Sequence, residues 1–182
     1  MNNFPIKDPK TGETWWISRA LAVVGIIILT DRETNDDYMF FQKRGPGCPD
    51  FVGAWSHTCG YLDFDETLEE ALVREIREEL GVDMRKLSPD ITFYSINDDP
   101  TDPDNPKQNV SIRYILGNID MKKFMEELDS TDSSERGGES GEVAGTTVIR
   151  MDPGFRERLR GLQFAWNHKA ISLDVWESWE PA

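Results

Sequence analysis

From Trp15 to Leu29 the chain reads WWISRALAVVGIIIL, rich in β-branched residues and without helical period. That pattern predicts one long strand, buried on both faces toward its end. A polar turn, DRETNDD, separates it from YMFFQKR (38–44), the expected antiparallel return. A Gly/Pro loop and the short segment AWSHTCGYLD follow. From about Glu66 to Leu80 the period changes to that of a helix, with Asp65 placed to cap its start and Gly81 its end. ITFYSIN (91–97) and NVSIRYILGN (109–118) predict a hairpin of two strands, MKKFMEELD (121–129) a short helix, and VAGTTVIRM (143–151) a further strand. Asp152-Pro153 has the form of a helix start, with one or two helices in the remainder up to Trp179. Alternating strands and helices without an internal repeat predict one α/β domain over residues 1–182, a sandwich built on a mixed sheet.

Composition narrows the function classes. The 182 residues carry a formal charge of -14, which repels a phosphate backbone and disfavours long nucleic acid as a partner. Two cysteines, Cys48 and Cys59, form no disulfide framework and are expected as free thiols. The N-terminal segment lacks a secretory pattern, and the run Ala20–Leu29 is too short to span a bilayer. The expectation is a cytoplasmic protein with no membrane partner. DDPTDPDNPKQ is acidic, but its prolines and missing glycine spoil a calcium-loop pattern. Residues 130–142, STDSSERGGESGE, contain no apolar side chain and are expected to be a mobile loop.

The chemistry concentrates on the helix. Leu68, Leu72, Ile76 and Leu80 share its apolar face, while Glu75, Glu78 and Glu79 gather along the border of that face. Carboxylates are disfavoured near a helix C-terminus, and like charges three or four residues apart repel. A solvated face tied by salt bridges accounts for Glu69, Glu70 and Arg77. It does not account for the trio, whose crowding a bound Mg²⁺ or Mn²⁺ would turn into coordination.

Read from Gly60, GYLDFDETLEEALVREIREELGV resembles the Nudix box, with Gly60, Glu66, Arg74, Glu75, Ile76, Glu78, Glu79, Gly81 and Val82 at its defined positions. The resemblance implies a Nudix-type α/β/α sandwich and hydrolysis of a nucleoside diphosphate linked to another moiety. It further implies a metal held by the Gly60 carbonyl, Glu75 and Glu79, with Glu78 as a further ligand or the base. Arg74 would orient a glutamate, and Glu66 would brace the loop-helix-loop. Markers that such enzymes place beyond the box for particular substrates are missing or displaced, so the substrate stays open. Arg19 and Arg44 are the leading candidates for phosphate contacts, ahead of Lys43 and Arg113; His57 is a further substrate candidate. Glu139 or Glu142 would supply a loop acid. Trp166, Trp176 and Trp179 read as core or homodimer contacts, and His168 has no assigned partner. Two other readings are a silent nucleotide-binding module, disfavoured by the intact trio, and an RNA 5′-end pyrophosphohydrolase, disfavoured by the charge.

Overall fold

The computed structural model describes residues 4–105, 107–130 and 141–180. The first hairpin pairs β1 (Phe4–Lys7) with β2 (Thr14–Ile17). The main sheet contains β3 (Leu21–Asp31), β4 (Asp36–Arg44), β5 (Trp55–Ser56), β6 (Thr58–Tyr61), β7 (Asp90–Asn97), β8 (Val110–Asp120) and β9 (Val143–Arg150). Its order is β5-β4-β3-β8-β7, with β6 also paired to β3 and β9 to β4. Only the β3–β8 pairing is parallel among these ladders, so the sheet is mixed as expected.

The single strand expected over 15–29 is instead two. Thr14–Ile17 belongs to the first hairpin, and β3 begins only at Leu21, where it meets β8. Apolar composition alone does not reveal that Ser18 to Ala20 leave one sheet for another.

Strand β3 is central because both of its faces are covered. Val23, Ile27 and Leu29 face one core with helix α1 (Leu68–Leu80) and helix α3 (Met121–Ser130). Ile26 and Ile28 face a second core with helices α4 (Phe155–Arg160) and α5 (His168–Ser178). Gly25 admits α1 closely, since a Cβ there would stand 2.7 Å from Leu72 Cδ1.

Two expected helix starts move. The N-cap of α1 is Thr67 rather than Asp65: its hydroxyl accepts from Glu70 N–H, and the Glu70 carboxylate accepts from Thr67 N–H. This reciprocal box outcompetes Asp65, which sits two residues earlier in a left-handed turn at φ 64°. Asp152 accepts from Gly154 N–H and forms a turn, so α4 starts at Phe155. Gly81 ends α1 in the left-handed conformation, φ 75°, and donates its N–H to Arg77 O, as expected. A short helix, α2 (Met84–Leu87), follows it. Residues 131–140 of the expected mobile loop lie outside the described residues. No helix among the described residues is long and apolar enough to cross a membrane.

Candidate active site

The box residues assemble where β6 meets α1. Gly60 pairs with Val23, which turns its Cα toward the helix, and Glu75 presses against it. A Cβ at Gly60 would fall 1.9 Å from the Glu75 carboxyl carbon, so only glycine admits this contact. Arg74 is the hub. Its Nε and Nη2 donate to the two oxygens of Glu66 at 2.9 and 2.7 Å, and Nη1 donates to Glu75 at 2.7 Å and Glu78 at 3.0 Å. It also donates to the Tyr61 carbonyl, tying the helix to the end of β6. Glu66 in turn accepts from Asp63 N–H, and these bonds, led by Arg74, pull its carboxyl down to about 2. The sequence expectation gave Arg74 one glutamate; the structure gives it three.

The three acids of the trio differ in environment. Glu78 is 59% exposed, whereas Glu75 is mostly covered and Glu79 is buried. Burial raises the Glu75 carboxyl, with Arg74 opposing. Burial pushes Glu79 up to about 8, against hydrogen bonds from Gln42 and from Cys59 N–H, the latter 3.2 Å away. The neighbouring Glu75 carboxyl raises it further and Arg44 offsets it only in part, while Arg74 is committed to Glu66, Glu75 and Glu78. Gly60, Glu75 and Glu79 therefore fit a divalent cation by donor chemistry and by charge. Among the described residues, no three acids, histidines or cysteines are already drawn together as a metal cluster.

These groups line one end of a cavity of about 460 Å³. Of the expected substrate contacts, Arg44 is there. It is buried, pairs with Asp50 at 2.9 Å, and lies over the Trp166 ring at 4.5 Å. Lys107 reaches the same Asp50 at 3.0 Å. Arg113 also lines the cavity, while Lys43 lies over Trp55 instead. Arg19 is a correction: it does not line the cavity, and its guanidinium donates to the carbonyls of Gln108 and Asp98, holding the start of β8 to the end of β7. His57 is another. It is 1% exposed, and its backbone N–H donates to His168 Nδ1 at 3.0 Å. Its Nε2 is 3.0 Å from Ser172 Oγ, whose proton goes to the His168 carbonyl, so His57 carries its hydrogen on Nε2. Burial drives its pKa down to about 3, with Arg113 acting in the same direction. His57 thus joins α5 to the sheet and does not line the cavity.

Glu142 lines the cavity, and its carbonyl accepts from Gly45 N–H and Cys48 Sγ; Glu139 lies outside the described residues. Both cysteines are free, with thiols pushed up chiefly by burial, so neither has a nucleophile's environment.

Trp166 lines the cavity rather than standing only in the core, whereas Trp176 and Trp179 pack partly against the second core. Trp166 has φ 45° and meets Phe51, itself at φ 51°, with ring centroids 5.2 Å apart. Such backbone is costly for bulky residues, by roughly 1–3 kcal/mol each, and clusters at functional sites. Sequence reading also missed a polar wall. Asn97 and Asn167 both donate to Asp102, at 2.7 and 3.1 Å, bringing together the end of β7, its acidic connection to β8, and the start of α5. No local pattern marks these residues, since Asn167 lies 65 residues beyond Asp102.

The NUDIX domain family model matches residues 19–146. The chain belongs to the Nudix family. Nucleoside triphosphatase NudI of Escherichia coli is 38% identical over 85 residues, covering 45% of this chain and 59% of that protein. Isopentenyl-diphosphate Delta-isomerase of Salmonella paratyphi B is 33% identical over 76 residues, 41% of each. The chain spans about half the length of these curated relatives. Among solved Nudix structures, a mutT/nudix family protein from Listeria innocua superposes with TM-score 0.60 at 17% identity, covering 89% of this chain and 95% of that one. The NUDIX domain of Shewanella oneidensis NrtR, crystallised with ADP ribose, gives 0.59 at 15%, covering 93% and 92%. At these identities the structural likeness concerns the fold.

Proposed function

We propose that this Nudix chain hydrolyses a pyrophosphate bond in a small nucleoside diphosphate derivative, with Mg²⁺, or Mn²⁺ in its place, as cofactor. The observation that carries this reading is Glu75, pressed onto Gly60 beside the buried Glu79, in a cavity that Arg44 and Lys107 also line. The same cavity thus holds carboxylates for a cation and basic side chains for phosphate charge. The cavity volume suits one nucleotide, which favours a small substrate over an RNA end. The nucleoside triphosphates for which NudI is named and the ADP ribose in the NrtR domain lie within the same substrate class.

Gly60, Glu75 and Glu79 would hold the metal, with Glu78 as a further ligand or the base. When bound, the metal neutralises charge building on the phosphate oxygens and activates water for attack on phosphorus. In the role of base, Glu78 takes the water's proton at its carboxylate and, being the most exposed of the trio, returns it to solvent. Arg74 fixes Glu75 and Glu78 in position through Nη1. Arg44 and Lys107, which share Asp50, would bind phosphate charge.

A panel of nucleoside diphosphate derivatives and triphosphates with Mg²⁺ tests this. Glu78→Gln and Glu79→Gln are expected to lower kcat/KM by about 100-fold or more. Absence of cleavage across the panel by wild type would sink the enzyme reading. Turnover that survives both substitutions would sink the assignment of the acids.

A further inference from the structure

Beyond the reactive end, the cavity holds a cation that the pyrophosphate chemistry does not use. Arg113, on β8, is in register with Val24 on β3, which is in register with Cys59 on β6. Two strand spacings, about 10 Å, therefore separate Arg113 from the strand that donates to Glu79. A pyrophosphate with its ribose spans a comparable length, so a nucleotide held at the acids can bring its base to Arg113, which lines the same cavity.

Its hydrogen-bonding state defines what it reads. Among the described residues, Arg113 donates from Nη2 to Asn167 Oδ1 at 3.3 Å, while its buried Nε has no partner. Asp102, the neighbouring acid, already accepts from Asn97, Asn167 and Asp104 N–H, and forms no ion pair with Arg113. Each nearby amide oxygen already accepts one bond: Asn97 Oδ1 from Asp99 N–H, and Asn167 Oδ1 from Arg113 itself. His168, a second cavity-lining residue, accepts at Nδ1 from His57 N–H, so its neutral ring carries a donor at Nε2. Arg113 and His168 thus both present N–H donors to this part of the cavity.

We infer that Arg113 makes the site selective for nucleobases with an oxo edge, a 6-oxopurine or a 4-oxopyrimidine, over their amino counterparts. The inference rests on the cavity being a nucleotide site. An oxo group, with the adjacent N7 in a purine, accepts from the guanidinium fork. An exocyclic amino group in the same place sets donor against donor and leaves a buried N–H unpaired, which is the costlier error.

Calorimetry with nucleoside monophosphates separates this from turnover, because they carry no pyrophosphate bond. Inosine monophosphate is compared with adenosine monophosphate, and uridine with cytidine monophosphate, on wild type, Arg113→Gln and Arg113→Lys. The oxo member of each pair is expected to bind wild type about tenfold tighter or more, and the ratio to fall below about threefold in both variants. Arg113→Lys keeps the charge and stem, and thermal melts of both variants establish that they fold. Equal affinities in wild type, no binding of any of the four at millimolar concentration, or a ratio intact in both folded variants overturns the inference. So does a uniform loss across all four ligands, which would make Arg113 a phosphate contact. If oxo-selective binding is found but no pyrophosphate is cleaved, the hydrolase reading fails and this one stands.

Discussion

Gly60 shows how a single missing side chain sets up the site. Its Cα lies where the Glu75 carboxylate must pass, and no L side chain fits there. Gly60→Ala is expected to displace Glu75 and weaken Mg²⁺ binding by about tenfold or more, with far-UV circular dichroism unchanged. Unchanged affinity by calorimetry would show that the Glu75 position does not matter to the metal. Arg74 acts through geometry as well as charge, since its five donor hydrogens serve three carboxylates and a carbonyl. Lysine offers no planar fork for these partners.

At the scale of elements, α1 reconciles two conflicting demands. Its C-terminal half collects acids that the helix dipole disfavours, so the helix must be secured elsewhere. Leu72, Ile76 and Leu80 are fully buried against β3, β8 and α3, and the Thr67–Glu70 box fixes the first turn. Thr67→Ala is expected to lower stability by about 1 kcal/mol, read from urea unfolding, without changing the base preference of ligand binding. A loss below a few tenths of a kcal/mol would mean that packing alone holds the N-terminus. Capping was legible in kind, since a polar residue was expected just before the helix. The position was missed because Asp65 and Thr67 are both good caps. The reciprocal bond from Glu70 decides between them.

For the whole molecule, α5 docks on the face of the sheet opposite α1, and its first residues line the cavity that the α1 acids also line. His57 and His168 make that junction, and both are held neutral by burial. The folded pKa of His57, about 3, lies below its usual 6.5. Its contribution to stability is therefore fully present above about 6.5 and is lost as pH falls toward 3. Glu79, raised to about 8, acts oppositely: its contribution is full below its usual 4.5 and declines as pH rises through 8. A comparison with His57→Gln isolates the histidine. Between pH 6.5 and 5, wild type is expected to lose stability more steeply than the variant, by up to about 1.4 kcal/mol per pH unit. Equal slopes in urea titrations would show that His57 titrates normally.

The sequence by itself determined helix α1, its metal-suited acids and the family, because those features are local: a period, a C-cap and a fixed spacing within 23 residues of chain; two apolar runs around a polar connection likewise marked the hairpin of β7 and β8. Tertiary structure decided which basic and polar residues meet them. Arg19 turned to backbone carbonyls and His57 to a buried junction, while Arg113, Trp166 and Asn167 came to the cavity. A side chain's partner across a mixed sheet depends on strand order and on which face its register presents. Neither is written in the residues near it along the chain.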